Sequence, residues 1–349
     1  MKVKSEFVVR ILKIFGELLS IWPYFGSKLV VKIIQEVRWL FSTLNLILIV
    51  TPIAFGVYQD VYKNKPLNVL QRSMSMVMHL ESLMNCFLWK WKDRKLKKLL
   101  LEMCDYVKST KGRDKNIFDR LTHQCSLLYT LIAVVCTMTS ISFICSPIFM
   151  SQKLLPSSAH YPFKIEPHTV RHYFLYTQQA IAILQTGLHH TIPPITIAVL
   201  LTYVIAKLKV LALKLKTIKT IDELGDWIQR HQECIKYFTL LEKTIRFVIL
   251  KSFIFITTTV IFAGVLAIHS SGINEIIRLV FSVATGFIAL YVYVSAADDL
   301  HELVSSMRKS IIILIRRTQK PLAISVKGII PALTRIFYAS VRSRSTDFN

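Results

Sequence analysis

Six runs of about twenty mostly apolar residues, at 41–58, 67–89, 127–149, 172–206, 244–268 and 275–296, constrain this 349-residue chain more than any other feature. A helix rises about 1.5 Å per residue, so some twenty apolar residues cross the roughly 30 Å of hydrocarbon in a bilayer. Lipid offers backbone N–H and C=O groups no partner, which restricts a spanning segment to a helix or a closed barrel, and runs of this length read as helices. A weaker seventh run occupies 323–341. The expected fold is all-α: a polytopic membrane protein with seven transmembrane helices forming a single domain over 1–349, with cytoplasmic helical anchor regions at 207–243 and 298–320. The chain is 53% hydrophobic with a mean hydropathy of +0.46, too apolar for a soluble domain of this length.

Charge sets the expected orientation, because cytoplasmic loops hold Lys and Arg in excess. The N-terminal tail to Leu40 carries seven, Lys90–Cys125 eleven, Lys207–Arg246 nine and Asp298–Lys320 five, whereas the alternate loops carry two, three and none. The N-terminus is therefore expected inside and, with seven spans, the C-terminus outside, the reverse of a G-protein-coupled receptor. A net charge of +23 spread between apolar spans points to the anionic lipid surface rather than to nucleic acid. The opening MKVKSEFVVRILKIFGELL has no clean apolar run before a cleavage site and reads as a helix on the membrane surface. Six cysteines in apolar spans or basic loops imply no disulfide framework.

Within the spans, the polar residues are the informative ones. The second carries His79, Glu81 and Asn85 near mid-depth, either a functional site or a buried interhelical hydrogen-bond set. The fourth is over-long, with a kink expected at Pro193–Pro194 and a helix projecting beyond the membrane. His189 and His190 lack a Cys or carboxylate at ligand spacing, so no metal site is expected. Lys251 and Arg278, near span ends, are expected to snorkel. In Arg308–Ser340 a basic apolar helix runs to a break at Pro321 and then to an apolar segment with Lys327 and Arg335. Such a charged span either turns toward a water-filled path or sends its cations to the headgroups; both readings stand on the residues alone. Paired carboxylates, a nucleophile elbow, a phosphate-binding glycine loop and an internal repeat are all missing, so the expectation is no enzyme, no cofactor and no repeat-built transporter.

Three stretches carry a resemblance. LLPSSAHYPF followed by HYFLYTQQAIAIL, RHQECIKYFTLLEKTIRFVILKSF, and RKSIIILIRRTQKPLAIS together make the chain resemble the insect odorant receptor family over nearly its whole length. The resemblance implies an odorant-gated, nonselective cation channel in the plasma membrane of an olfactory dendrite. It also implies a heterotetramer of this tuning subunit with an obligate odorant co-receptor, and a small volatile odorant as ligand. A gustatory receptor of the same topology is the alternative. So is a non-conducting truncated isoform, because the linker before Arg308 is short and the end after Phe337 polar. With the fourth span entered from outside, Tyr173, Tyr176, Thr177 and Ala180 would meet Met138 and Ser142 of the third span, Met74 and Met78 of the second, and Phe281 and Thr285 of the sixth. Aromatic and Met side chains there give adaptable apolar contact, and a hydroxyl orients the ligand. In a family-like tetramer the segment 323–341 would line the pore, with Lys327, Arg335, Phe337, Ser340 and Val341 as its lining residues.

Overall fold

The computed structural model describes residues 4–22, 29–149, 154–215, 217–269 and 272–310, the backbone alone being described at 149, 221, 274 and 306–310. Among the described residues all regular structure is helical: α1 (Ser5–Leu18), α2 (Leu29–Tyr62), α3 (Pro66–Trp91), α4 (Asp93–Ser109), α5 (Arg113–Ile144), α6 (Ser146–Phe149), α7 (Val170–Leu215), α8 (Ile221–His269) and α9 (Ile273–Ser310). Among the described residues, α2, α5, α7, α8 and α9 are long and apolar enough to cross a membrane. The run expected as the second span folds as the 26-residue α3, which Arg72, His79, Glu81 and Asn85 keep out of that class. It packs between α2 and α8.

Local chemistry explains the breaks. Pro66 opens α3 at a position whose N–H has no helical partner anyway. Gly112, at φ +68°, makes the turn from α4 to α5 in a conformation that a side chain would strain. The α4 helix buries Leu96, Leu99, Leu100, Met103 and Val107, one apolar face at helical spacing, and leaves its lysines outside.

The chain runs through both prolines of α7 as one helix of 46 residues, about 69 Å at 1.5 Å per residue. Proline at 193 has no N–H to give the carbonyl four residues back. That carbonyl, on His189, accepts a hydrogen bond from Asn85 Nδ2 of α3 at 3.2 Å. A neighbouring side chain thus supplies one of the two donors that the prolines remove, and the helix stays continuous.

The bundle has two unlike ends. At the turn end the α2–α3 turn, the 154–169 loop and the α8–α9 turn meet. Arg72 there bonds Asp60 at 2.6 Å and the Ser158 carbonyl, His160 N–H donates to the Pro52 carbonyl at 3.0 Å, and Gln179 Oε1 accepts from Ser157 N–H at 2.8 Å. These bonds fold LLPSSAHYPF back onto the bundle. At the basic end α4 and the long extensions of α7 and α8 build the main core. Tyr203 packs edge-on against Tyr106 and Tyr237, each with ring centroids 5.1 Å away. Lys207 pairs with Glu102 at 2.9 Å, and Trp227 Nε1 donates to the Leu211 carbonyl at 2.8 Å.

Candidate ligand site

Three hollow spaces follow one another from the turn end toward the middle of the bundle. The first is a vestibule walled by Met74, Ser75, Phe143, Leu279 and the Arg278–Glu275 pair, with about 230 Å³ open to the centre of a water molecule. Ser75 and Phe143 also wall the second space, a narrow apolar cavity. Its other walls are Met78 and His79 of α3, Cys136, Thr139 and Ser140 of α5, Ser157 of the 154–169 loop, Ile183, Thr186, Gly187 and His190 of α7, and Thr285 of α9. The third space lies deeper, between α3, α7, α8 and α9, and shares Met78, His190 and Thr285 with the second. Each inner space leaves only about 30 Å³ for water centres, room for a water or two and no more. A ligand of ten heavy atoms enters only if side chains move, and Met78, which divides the two spaces, is the residue type best suited to moving.

Polar groups around these spaces are paired across helices. Thr186 Oγ1 donates to the Ala182 carbonyl at 2.9 Å and so accepts from His79 Nδ1 at 2.8 Å, which places the histidine proton on that nitrogen. Thr139 Oγ1 lies 3.0 Å from Thr285 Oγ1, fastening α5 to α9. Gly187 permits the closest approach of α5 to α7, since a Cβ there would collide with Ser140 Oγ. Beneath the deep space Lys251 Nζ sits 2.8 Å from Glu81 Oε1, and His190 Nδ1 sits 3.5 Å from Glu81 Oε2. Lys251 is therefore not a snorkelling cation: its side chain is 4% exposed and its charge is met inside the protein by Glu81. Arg278 likewise turns inward, 4.0 Å from Glu275 and over the ring of Phe143. His79, Glu81 and Asn85 each tie α3 to α7: His79 to Thr186, Glu81 to His190 and Asn85 to the His189 carbonyl. Among the described residues no group of His, Cys, Asp and Glu is arranged to hold a metal ion.

The ten residues expected around a ligand are distributed unevenly. Met78 and Thr285 wall both inner spaces, and Met74 walls the vestibule. Tyr176 Oη donates to the Ile144 carbonyl at 2.8 Å, Ser142 Oγ to the Thr139 carbonyl at 2.8 Å, and the Phe281 carbonyl accepts from Thr139 and Thr285, so these three brace the wall without lining it. Tyr173 is 56% exposed beside His168, Thr177 is exposed and Ala180 half-buried. Met138 faces outward, into an apolar groove between α1, α5 and α7. Cys136, Thr139, Ser140, Thr186, Gly187 and His190 were not expected at the site; only the helical spacing of small and hydroxyl residues over 136–140 hints at it. Lys327, Arg335, Phe337, Ser340 and Val341, with the whole segment 323–341, lie outside the described residues.

Comparison with known proteins bears on the whole bundle. The insect olfactory receptor OR5 from Machilis hrabei superposes with a TM-score of 0.80 at 15% identity, covering 98% of this chain and 95% of that one. The same receptor in complex with eugenol superposes with a TM-score of 0.78 at 14% identity, with the same coverage. At such low identity these structures speak for the fold alone. No curated protein sequence matches the chain. The family model described as 7tm Odorant receptor matches residues 65–306, more than two thirds of the sequence and every helix that walls the three spaces, and the chain therefore belongs to the odorant receptor family.

Proposed function

We propose that this receptor is the odorant-binding subunit of a ligand-gated, nonselective cation channel, and that it works in the plasma membrane with an obligate co-receptor as a heterotetramer. It is a receptor and not an enzyme. The observation that carries the reading is the vestibule opening onto a narrow apolar cavity, walled by α3, α5, α7 and α9, which has the small size and sparse polar lining suited to a volatile molecule. The Machilis hrabei receptor, of the same fold, forms a complex with eugenol, which supports a small-molecule ligand for this one. The loop cation count supports a cytoplasmic basic end, which puts the vestibule on the outside where odorant arrives. The segment 323–341 would line the pore, with cations turned from the lumen or present in a minority of subunits.

Co-expression with a co-receptor and current recording over an odorant panel tests this. Odorant-evoked cation current that is absent from cells bearing the co-receptor alone is the expected result, with an N-terminal epitope hidden from antibody in intact cells. A receptor present at the surface but silent to the whole panel, or an N-terminal tag reached from outside, would overturn it.

A further inference from the structure

The deep space carries buried polar atoms that the protein leaves without partners. Asn85 is 2% exposed, and its Oδ1 has no hydrogen-bond partner; His190 Nε2, at the junction of the two inner spaces, has none either. Buried polar atoms are rarely left unpaired, because stripping water from them costs more than an ordinary hydrogen bond returns. Something other than this chain is their natural partner, a water when no ligand is bound.

The chemistry of that partner follows from which atoms are already committed. Asn85 donates through Nδ2 to the His189 carbonyl, an atom that can only accept and that Pro193 has freed, so the amide is held with Oδ1 as its open end. His190 Nδ1 lies 3.5 Å from the Glu81 carboxylate, whose other oxygen is 2.8 Å from the Lys251 ammonium; a carboxylate only accepts, so the proton belongs on Nδ1 and Nε2 shows a lone pair. Both open atoms are therefore hydrogen-bond acceptors. An ether, ester or ketone brings a further acceptor and leaves both unsatisfied. An ammonium would bring donors, but the Lys251 cation repels it.

The geometry points to a second, polar subsite at Asn85 and His190 that selects neutral ligands bearing a donating hydroxyl, alcohols or phenols, whose apolar part occupies the cavity above. This rests on the odorant-receptor reading and adds to it a ligand class. Sites built to hydrogen-bond a hydroxyl discriminate sharply against analogues without one, because the analogue leaves buried groups unpaired.

Currents from the co-expressed receptor would be compared for pairs that differ by a methyl cap: 4-ethylphenol with 4-ethylanisole, and C6–C10 linear alcohols with methyl ethers of equal heavy-atom count. The hydroxyl member of an active pair is expected to act at a concentration about tenfold lower or more. His190→Phe, which keeps ring bulk, should weaken the hydroxyl member more than its ether and close most of the gap between them, while His190→Gln, which keeps an acceptor, should recover part of the preference. Asn85→Leu should act in the same direction, and decides the matter if His190→Phe fails to reach the surface. Equal potency within wild-type pairs, or equal weakening of both members by the variants, would overturn the subsite and leave the receptor reading intact. Silence toward every member, with normal surface amounts, would overturn both.

Discussion

The two halves of α7 are made of similar residues and live in different surroundings. From Ile192 to Ala206 the helix is buried on every side, while from Val170 to His190 it alternates buried and exposed positions and its inner face borders hollow space. One helix thus passes from a packed interior to a loosely filled one. The difference lies in what surrounds it. At the basic end α4 and the lower lengths of α8 and α9 close over it with Tyr, Leu and Trp; toward the turn end Ser140, Gly187, Thr186 and Thr285 are too short to fill the gap between helices. Small residues let helices touch at points, and the volume between those points stays open. Rigidity and room for a ligand are in this way separated along one molecule.

That contrast can be broken most severely at the ion pair between the halves. Glu81→Gln leaves the Lys251 ammonium buried without a counter-charge, expected to cost about 3–5 kcal/mol, whereas joining it with Lys251→Met should return most of the loss. Thermal unfolding of the detergent-purified receptor, with surface amount as a second readout, would show whether the double variant recovers. A smaller but sharper comparison sets Leu200→Ala against Met78→Ala. Leu200 is fully buried in the packed half, and truncation should cost about 2 kcal/mol or more with agonist ranking unchanged. Met78 already adjoins open space, so its truncation should lower stability less and reorder agonists by merging the two inner spaces. Equal stability loss at the two sites would erase the distinction between the halves. The mildest effect is expected at the outward-facing Met138, where alanine should leave dose–response curves within about threefold, a change worth well under 1 kcal/mol.

Much of this is legible in the amino-acid sequence. The apolar runs announced helices, the charged amphipathic stretches announced the basic end, and three polar residues inside one span marked the network under the cavity. What the sequence hides is rotation. In α5 the inward face is Cys136, Thr139, Ser140 and Phe143, whereas Met138, two residues or about 200° round from Cys136, points out. A soluble helix betrays its inner face by polarity; a helix bathed in lipid is apolar all round, and the period that would fix its rotation is faint. Lys251 is hidden from the sequence for a related reason. Its place near the end of an apolar run suggested headgroups, and only the packing of α8 on α3 reveals Glu81 beside it. Hydroxyls are equally ambiguous, since a Thr bonded to its own helix, as Thr139 is to the Val135 carbonyl, looks the same in sequence as one that also reaches across.

The unbroken course of α7 makes it a lever. Its tightly held section around Val204 is the fulcrum, because a close-packed interior barely compresses. Gly187, on the cavity wall, is seventeen residues away, about 26 Å along the axis, and Leu215 is eleven residues beyond on the other side, about 16 Å. A ligand that shoulders the wall aside by 1 Å tilts the rod by about 2°, and the far tip swings the opposite way by about 0.6 Å. With a break at Pro193–Pro194 the tilt would have died in the hinge. Asn85, by giving the His189 carbonyl the donor that Pro193 lacks, thus helps join the stretch of α7 that walls the cavity to the stretch packed at the basic end.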